Sequence, residues 1–321
     1  MNLGSSLRYR LGPVLMICAA ALGVPGRSNA QSQPKAPMTS QEQVLSWKGE
    51  KVIFLAGYSQ APFFGDSAPG DRIDYYRADK AHEGLPREQY AGKTGVVTDV
   101  KLLGKRPFGD AVIFELEITV DGSGDKIIAH DDSDNLGFIS EMKAAETWSM
   151  GKTFWAKGPL DLWGAPAGGK KTWIRVRNTE RMTASRPEWG AIDGPNLCFK
   201  TAGGEGCLSE KVCFDARFHP GYGEKSCADG DGAGELLGRN VYLQDPHRLF
   251  PGWSPAIWAA IENREIAIGM TEKMAQVACG KELDREGSVL EKDGKVSAIY
   301  RCGDRSFLVV AGKVARYVVT R

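Results

Sequence analysis

Charge of one sign is what this chain has least of. Its 41 Lys and Arg residues stand against 40 Asp and Glu, a formal net charge of +1 at pH 7. Nucleic-acid binding draws on a surplus of basic side chains, so this balance argues against that class of partner. Long apolar runs are nearly as scarce: beyond residues 11–24, no segment approaches the roughly twenty apolar residues that a membrane-spanning helix requires. No Cys-x-x-Cys pair occurs. Cys198, Cys207, Cys213 and Cys227 are spaced by nine, six and fourteen positions, a poor pattern for a zinc cluster.

Catalytic and ion-binding patterns are incomplete in the same way. Gly92-Lys-Thr and Gly151-Lys-Thr end as phosphate loops do, but Arg87 and Glu146 stand where the leading glycine of the backbone cradle belongs. An apolar strand from Lys51 runs into Gly57-Tyr-Ser59-Gln-Ala61, which resembles the nucleophile elbow of cutinase-type esterases. An elbow needs a helix directly after the serine, and Pro62-Phe-Phe-Gly-Asp has no helical period. His82 is the candidate base, with no acid to set against it, so a Ser59 esterase stays a remote alternative and no catalytic residue is assigned. Read as a calcium loop from Asp132, the acidic stretch has Leu136 at the fifth position and Lys143 at the twelfth. Asp229-Gly-Asp231 is a Gly-rich acidic turn. No metal and no cofactor are expected, and His219 and His247 read as surface residues.

What is present begins with an export address. Arg8 and Arg10 precede the apolar run, and Ser28-Asn29-Ala30 offers the small residues that a signal peptidase reads. Cleavage after Ala30 would remove Arg8, Arg10 and Arg27, taking the net charge to about −2, and would leave six of the seven cysteines. An even number of cysteines in an exported chain points to disulfides. Among the pairings open to the four central cysteines, we expect the local ones, Cys198 with Cys207 and Cys213 with Cys227. The expected location is periplasmic or secreted, without a transmembrane segment.

The fold class expected is mainly β with a C-terminal α+β module. Residues 31–46 read as a disordered lead. Residues 47–157 carry short strands between Gly, Asp and Pro turns, with Phe114, Leu116 and Ile118 alternating against Glu115, Glu117 and Thr119. A helix capped by Ser140 runs to about Met150. Tyr90-Ala-Gly-Lys-Thr-Gly-Val-Val-Thr-Asp-Val resembles the first strand of SH3-like barrels, which implies a small SH3-like barrel there. The loop aromatics Tyr58, Phe63, Phe64, Tyr75 and Tyr76 then either line a ligand groove or pack across the barrel mouth. Residues 158–250 form a Cys-rich β-segment, possible as a second small β-unit. A faint repeat relates Trp47-Lys-Gly-Glu-Lys-Val-Ile-Phe to Met150-Gly-Lys-Thr-Phe-Trp-Ala.

Residues 251–321 are the most consistent stretch locally. Ser254-Pro255 opens one helix, Thr271 caps a second that ends at Gly280, and a period of two from Lys295 onward predicts a β-meander. Ile266-Ala-Ile-Gly-Met-Thr-Glu-Lys-Met-Ala-Gln-Val277, with Phe307 to Val314, resembles the SmpA/OmlA (BamE-like) fold of bacterial envelope proteins. Glu282 and Cys279 depart from that pattern, standing where a proline and a bulky aromatic are usual. A Cys279–Cys302 bridge would replace the missing packing. The resemblance implies an exported, non-enzymatic binding or scaffold protein of the cell envelope, with peptidoglycan or another envelope protein as partner. Modules with one disulfide also resemble β-lactamase inhibitor domains, so an inhibitor of a secreted enzyme is the alternative.

Overall fold

Among the described residues, strands are the commonest regular element, and the longest of the buried ones alternate with a period of two. The computed structural model describes residues 39–55, 75–85, 89–105, 112–130, 136–166, 169–190, 194–209, 212–219, 226–228, 232–280, 283–290 and 296–318. The expected leader and the first half of the expected lead, residues 31–38, lie outside these residues. What is described is mainly β, with few helices.

The first sheet contains β1 (Lys51–Phe54), β2 (Tyr75–Arg77), β3 (Lys80–Leu85), β4 (Thr94–Lys105), β5 (Val112–Val120), β6 (Lys126–His130) and β7 (Leu136–Phe138), in the order β3-β2-β6-β5-β4-β1-β7. On β5, Val112, Phe114, Leu116, Ile118 and Val120 are buried, while Glu115 and Glu117 face outward toward Lys101 and Lys126. Bulges at Val97/Asp99 and Leu102/Gly104 bend β4, so that the sheet curls over its core. A short helix α1 (Ser40–Leu45) precedes it. This corrects the expectation that the lead stays disordered up to residue 46. Thr39 and Glu42 form a capping box, and Val44 and Trp47 are fully buried, so one turn of helix is both capped and anchored.

The second sheet contains β8 (Thr153–Ala156), β9 (Leu160–Ala165), β10 (Thr172–Val176), β11 (Arg181–Ala184), β14 (Cys198–Thr201), β15 (Gly204–Cys207) and β16 (Val241–Tyr242). The pair β12 (Glu188–Trp189) and β13 (Pro195–Asn196) stands apart. Its order, β10-β9-β15-β14-β11-β8-β16, is that of the first sheet with each strand replaced by its counterpart. The turn bonds repeat as well. Gly49 N donates to Val97 O at 2.8 Å, and Gly151 N to Ala184 O at 3.0 Å; Gly92 N donates to Phe54 O at 2.8 Å, and Thr179 N to Ala156 O at 2.9 Å. The faint sequence repeat is therefore the visible edge of a repeated backbone. β8, within the span expected for the first unit, pairs with β11 and β16 and so belongs to the second sheet.

The helix α2 (Ile139–Ser149) joins the sheets. Its expected cap, Ser140, lies inside the helix instead and donates to Glu50 Oε2 at 2.6 Å; Phe138 is the N-cap residue and supplies no side-chain bond. His219, expected at the surface, is 4 % exposed because the segment 212–219 folds into the seam between the sheets.

Two small helices, α3 (Gly234–Asn240) and α4 (Pro246–Leu249), lead to the C-terminal part. There α5 (Pro255–Glu262) and α6 (Glu272–Cys279) are followed by an antiparallel meander of β17 (Asp284–Leu290), β18 (Val296–Cys302), β19 (Arg305–Val310) and β20 (Lys313–Val318). Ser254 Oγ accepts from Ile257 N, Thr271 Oγ1 accepts from Met274 N, and Gly280 ends α6 in the left-handed region at φ 78°. β17 has no counterpart in the sequence reading. The three disulfides are Cys198–Cys207, Cys213–Cys227 and Cys279–Cys302. No described helix is long and apolar enough to cross a membrane.

Candidate functional site

Two glycines bring the second sheet against the C-terminal helices. Gly158 follows β8 with φ 88°, and Gly280 ends α6; a Cβ added to Gly280 would lie 2.1 Å from Gly158 Cα, so only glycine permits this approach. Asn178 fixes the contact. Its Oδ1 accepts from Gly158 N at 2.8 Å, and its Nδ2 donates to Ile261 O at 3.0 Å and Val277 O at 2.9 Å. Those carbonyls lie in the last turns of α5 and α6, where helices run out of internal donors, so one 3 % exposed amide caps both helix ends.

Beside this junction a cavity of about 850 Å³ opens, with walls from α3, β16 and α6. Lys157, Arg239, Lys273, Gln276, Tyr242 and Glu235 supply its polar groups. Arg239 and Glu235 are one turn apart on α3 and pair at 2.6 Å. Lys273 Nζ donates to Gln276 Oε1 at 3.0 Å. Lys157 Nζ donates to the Gly238 carbonyl and lies 4.8 Å from the centre of the Tyr242 ring. Among the described residues no carboxylate pairs with Lys157.

Electrostatics follow from that layout. Burial pushes the Lys157 ammonium below the ordinary lysine range, and repulsion from Lys273 adds to the effect. Burial alone pushes the Tyr242 phenol up to about 12. Three cations face a single carboxylate already engaged by Arg239, so the cavity carries an excess positive charge that a bound anion would neutralise.

The residues singled out from the sequence lie elsewhere. Tyr75 is 1 % exposed and meets Phe54 edge-on at 5.3 Å, so it packs the core and cannot line a groove. Tyr76 is half-buried and stands edge-on to His130 at 5.1 Å. Tyr58, Ser59, Phe63 and Phe64 lie outside the described residues, as do Asp131 to Asn135 and Asp229 to Asp231. The Lys157 cavity was missed. Glu235 and Arg239 carried a helical spacing, but nothing in Trp155-Ala-Lys157-Gly158 marks a lysine that a helix more than a hundred residues later will enclose.

Compared with known proteins, the chain matches no family model, no curated protein and no solved structure.

Proposed function

We propose that this is an exported, non-catalytic binding protein of the bacterial cell envelope, and that it takes an anionic group of its ligand in the Lys157 cavity. One observation carries the reading: a half-buried ammonium with no carboxylate partner among the described residues, flanked by Arg239 and Lys273. Carboxylate groups on cell-wall polymer fit this chemistry, and both lysines and the arginine can donate charge-assisted hydrogen bonds. Three disulfides support an oxidising compartment.

We further infer that each seven-stranded sheet is an SH3-like barrel with a hairpin inserted after its first strand, and that the C-terminal part is a BamE-like module. The serial pairing β7-β1-β4-β5-β6 supports the first, and the two capped helices running into a meander support the second.

Co-sedimentation of residues 31–321 with purified peptidoglycan sacculi, at low and moderate salt beside an exported control, tests the proposal. Specific pelleting that Lys157→Gln and Lys273→Gln together abolish is the expected result. Protein remaining in the supernatant at low salt removes the wall as ligand. Labelling by a fluorophosphonate probe, lost in Ser59→Ala, would show that the protein is an esterase instead.

A further inference from the structure

A buried carboxylate and a buried imidazole meet beside a disulfide in the seam between the two sheets. Glu141, in the first turn of α2, is 1 % exposed, and His219 is 4 % exposed. Glu141 Oε1 lies 2.5 Å from His219 Nε2 and accepts from Phe214 N at 3.2 Å. Its Oε2 faces Gly194, where a Cβ would come within 3.2 Å. Nonadjacent elements thus converge on one carboxylate: α2, the 212–219 segment and the backbone before β13.

The third member is sulfur. Donor atoms of Glu141, His219 and Cys213 all lie within 4.8 Å of one another, and Cys227 Sγ is one covalent bond from Cys213 Sγ. All four residues are buried. While the disulfide stands, its sulfurs are weak ligands, because the thiolate is the metal-binding form of cysteine. Two electrons and two protons from a dithiol reductant, itself oxidised to its disulfide, would break the Cys213–Cys227 bond and leave two thiols facing the carboxylate and the imidazole.

We propose that this seam is a redox-gated metal site: reduction of Cys213–Cys227 creates a four-ligand site for Zn²⁺ made of Cys213, Cys227, His219 and Glu141. On binding, both thiols release their protons to solvent and the imidazole coordinates through a neutral nitrogen. The donor set is one that zinc takes in tetrahedral form. Ligand atoms around tetrahedral zinc stand roughly 3.3 Å apart, so the Glu141–His219 contact has to open by about 0.8 Å. A shift of that size is within reach of side-chain rotation. The site is independent of the Lys157 cavity and of any ligand bound there.

The test uses the full exported chain, residues 31–321, reduced anaerobically, freed of reductant and titrated with Zn²⁺ or Co²⁺. Alkylation followed by peptide mass mapping reads each cysteine separately. Zn²⁺ is expected to protect Cys213 and Cys227 from alkylation while the other four thiols still react, and Co²⁺ is expected to give the ligand-field bands of a tetrahedral thiolate complex. Glu141→Gln keeps an acceptor for Phe214 N, and it should weaken the metal at least about tenfold; His219→Gln should do the same. Oxidised protein should bind neither ion. Equal alkylation of Cys213 and Cys227 with and without Zn²⁺ would overturn the proposal, as would protection unchanged in both variants. The alkylation pattern of the unsubstituted chain decides the matter even if a variant fails to fold.

Discussion

Tyr242 hangs over the cavity with its ring beneath the Lys157 ammonium, and burial holds its phenol neutral up to about 12. The sign of the linkage follows. A phenol whose folded pKa is raised favours the fold in its neutral form, so this contribution is complete below pH 10 and is lost as pH rises from 10 through 12. Its size is on the order of 2 kcal/mol. Alkaline absorbance titration should show one phenol ionising near pH 12 that Tyr242→Phe removes; the idea fails if the phenol that disappears is one titrating near pH 10. Asn178 offers a larger effect from a smaller side chain. Asn178→Ala would take the side-chain partner from the buried Val277 carbonyl and the buried Gly158 N–H, while the Ile261 carbonyl keeps Arg264 N as a donor, and we expect a loss of roughly 3 kcal/mol in urea unfolding. A loss below about 0.5 kcal/mol would mean that water replaces the amide. Neither residue was visible as a sequence signal, since Asn178 works on partners 83 and 99 positions away and a lone Asn after a strand reads as a turn.

Elements whose signals are local were the legible ones. The caps at Ser254, Thr271 and Gly280 need only a hydroxyl or a missing Cβ at the right offset, and β5 announces itself by strict alternation. β17 was silent because Asp284-Arg-Glu-Gly-Ser-Val-Leu has little apolar period, and its place comes from pairing with β18 through a bulge at Arg285/Gly287. Repetition gives the turns a further test. Gly92, at φ 79°, and its counterpart Thr179, at φ 61°, make the same bond back to the first strand of their sheets. Around Gly92 no atom would meet an added Cβ within 4 Å, so Gly92→Ala should cost only the left-handed strain, about 1 kcal/mol. Gly280→Ala adds a collision with the Gly158 backbone and should cost several times as much, because α6 must leave the second sheet. Urea midpoints at constant m compare them; equal losses would show that the close approach of the two glycines is not maintained in solution.

Across the whole molecule the two sheets repeat one strand order, yet they are not independent. Trp47 Nε1 donates to Arg217 O at 2.6 Å, and Gln43 Nε2 to Ala216 O at 3.1 Å. Phe218 stacks on Phe138 at 4.2 Å and is buried in the first core, and Arg217 reaches Glu50 at 3.4 Å. All of these partners come from the segment that Cys213–Cys227 ties down in the second half. Composition and alternation revealed two β-rich stretches, but no local pattern could disclose that Phe218 completes the core of the first, because that contact spans the chain. A prediction distinguishes a borrowed core from a self-sufficient one. Residues 37–138 contain a single tryptophan, Trp47, which is fully buried in the complete chain. Expressed alone, this fragment loses both a large apolar side chain and the acceptor for the indole N–H, costs of roughly 3 kcal/mol or more for the first and 1–3 kcal/mol for the second. Against a marginal stability of 5–15 kcal/mol for a typical domain, we expect non-cooperative unfolding and red-shifted Trp47 emission. Cooperative unfolding with native, blue-shifted emission from the fragment would show that the first sheet closes its core without residues 212–219.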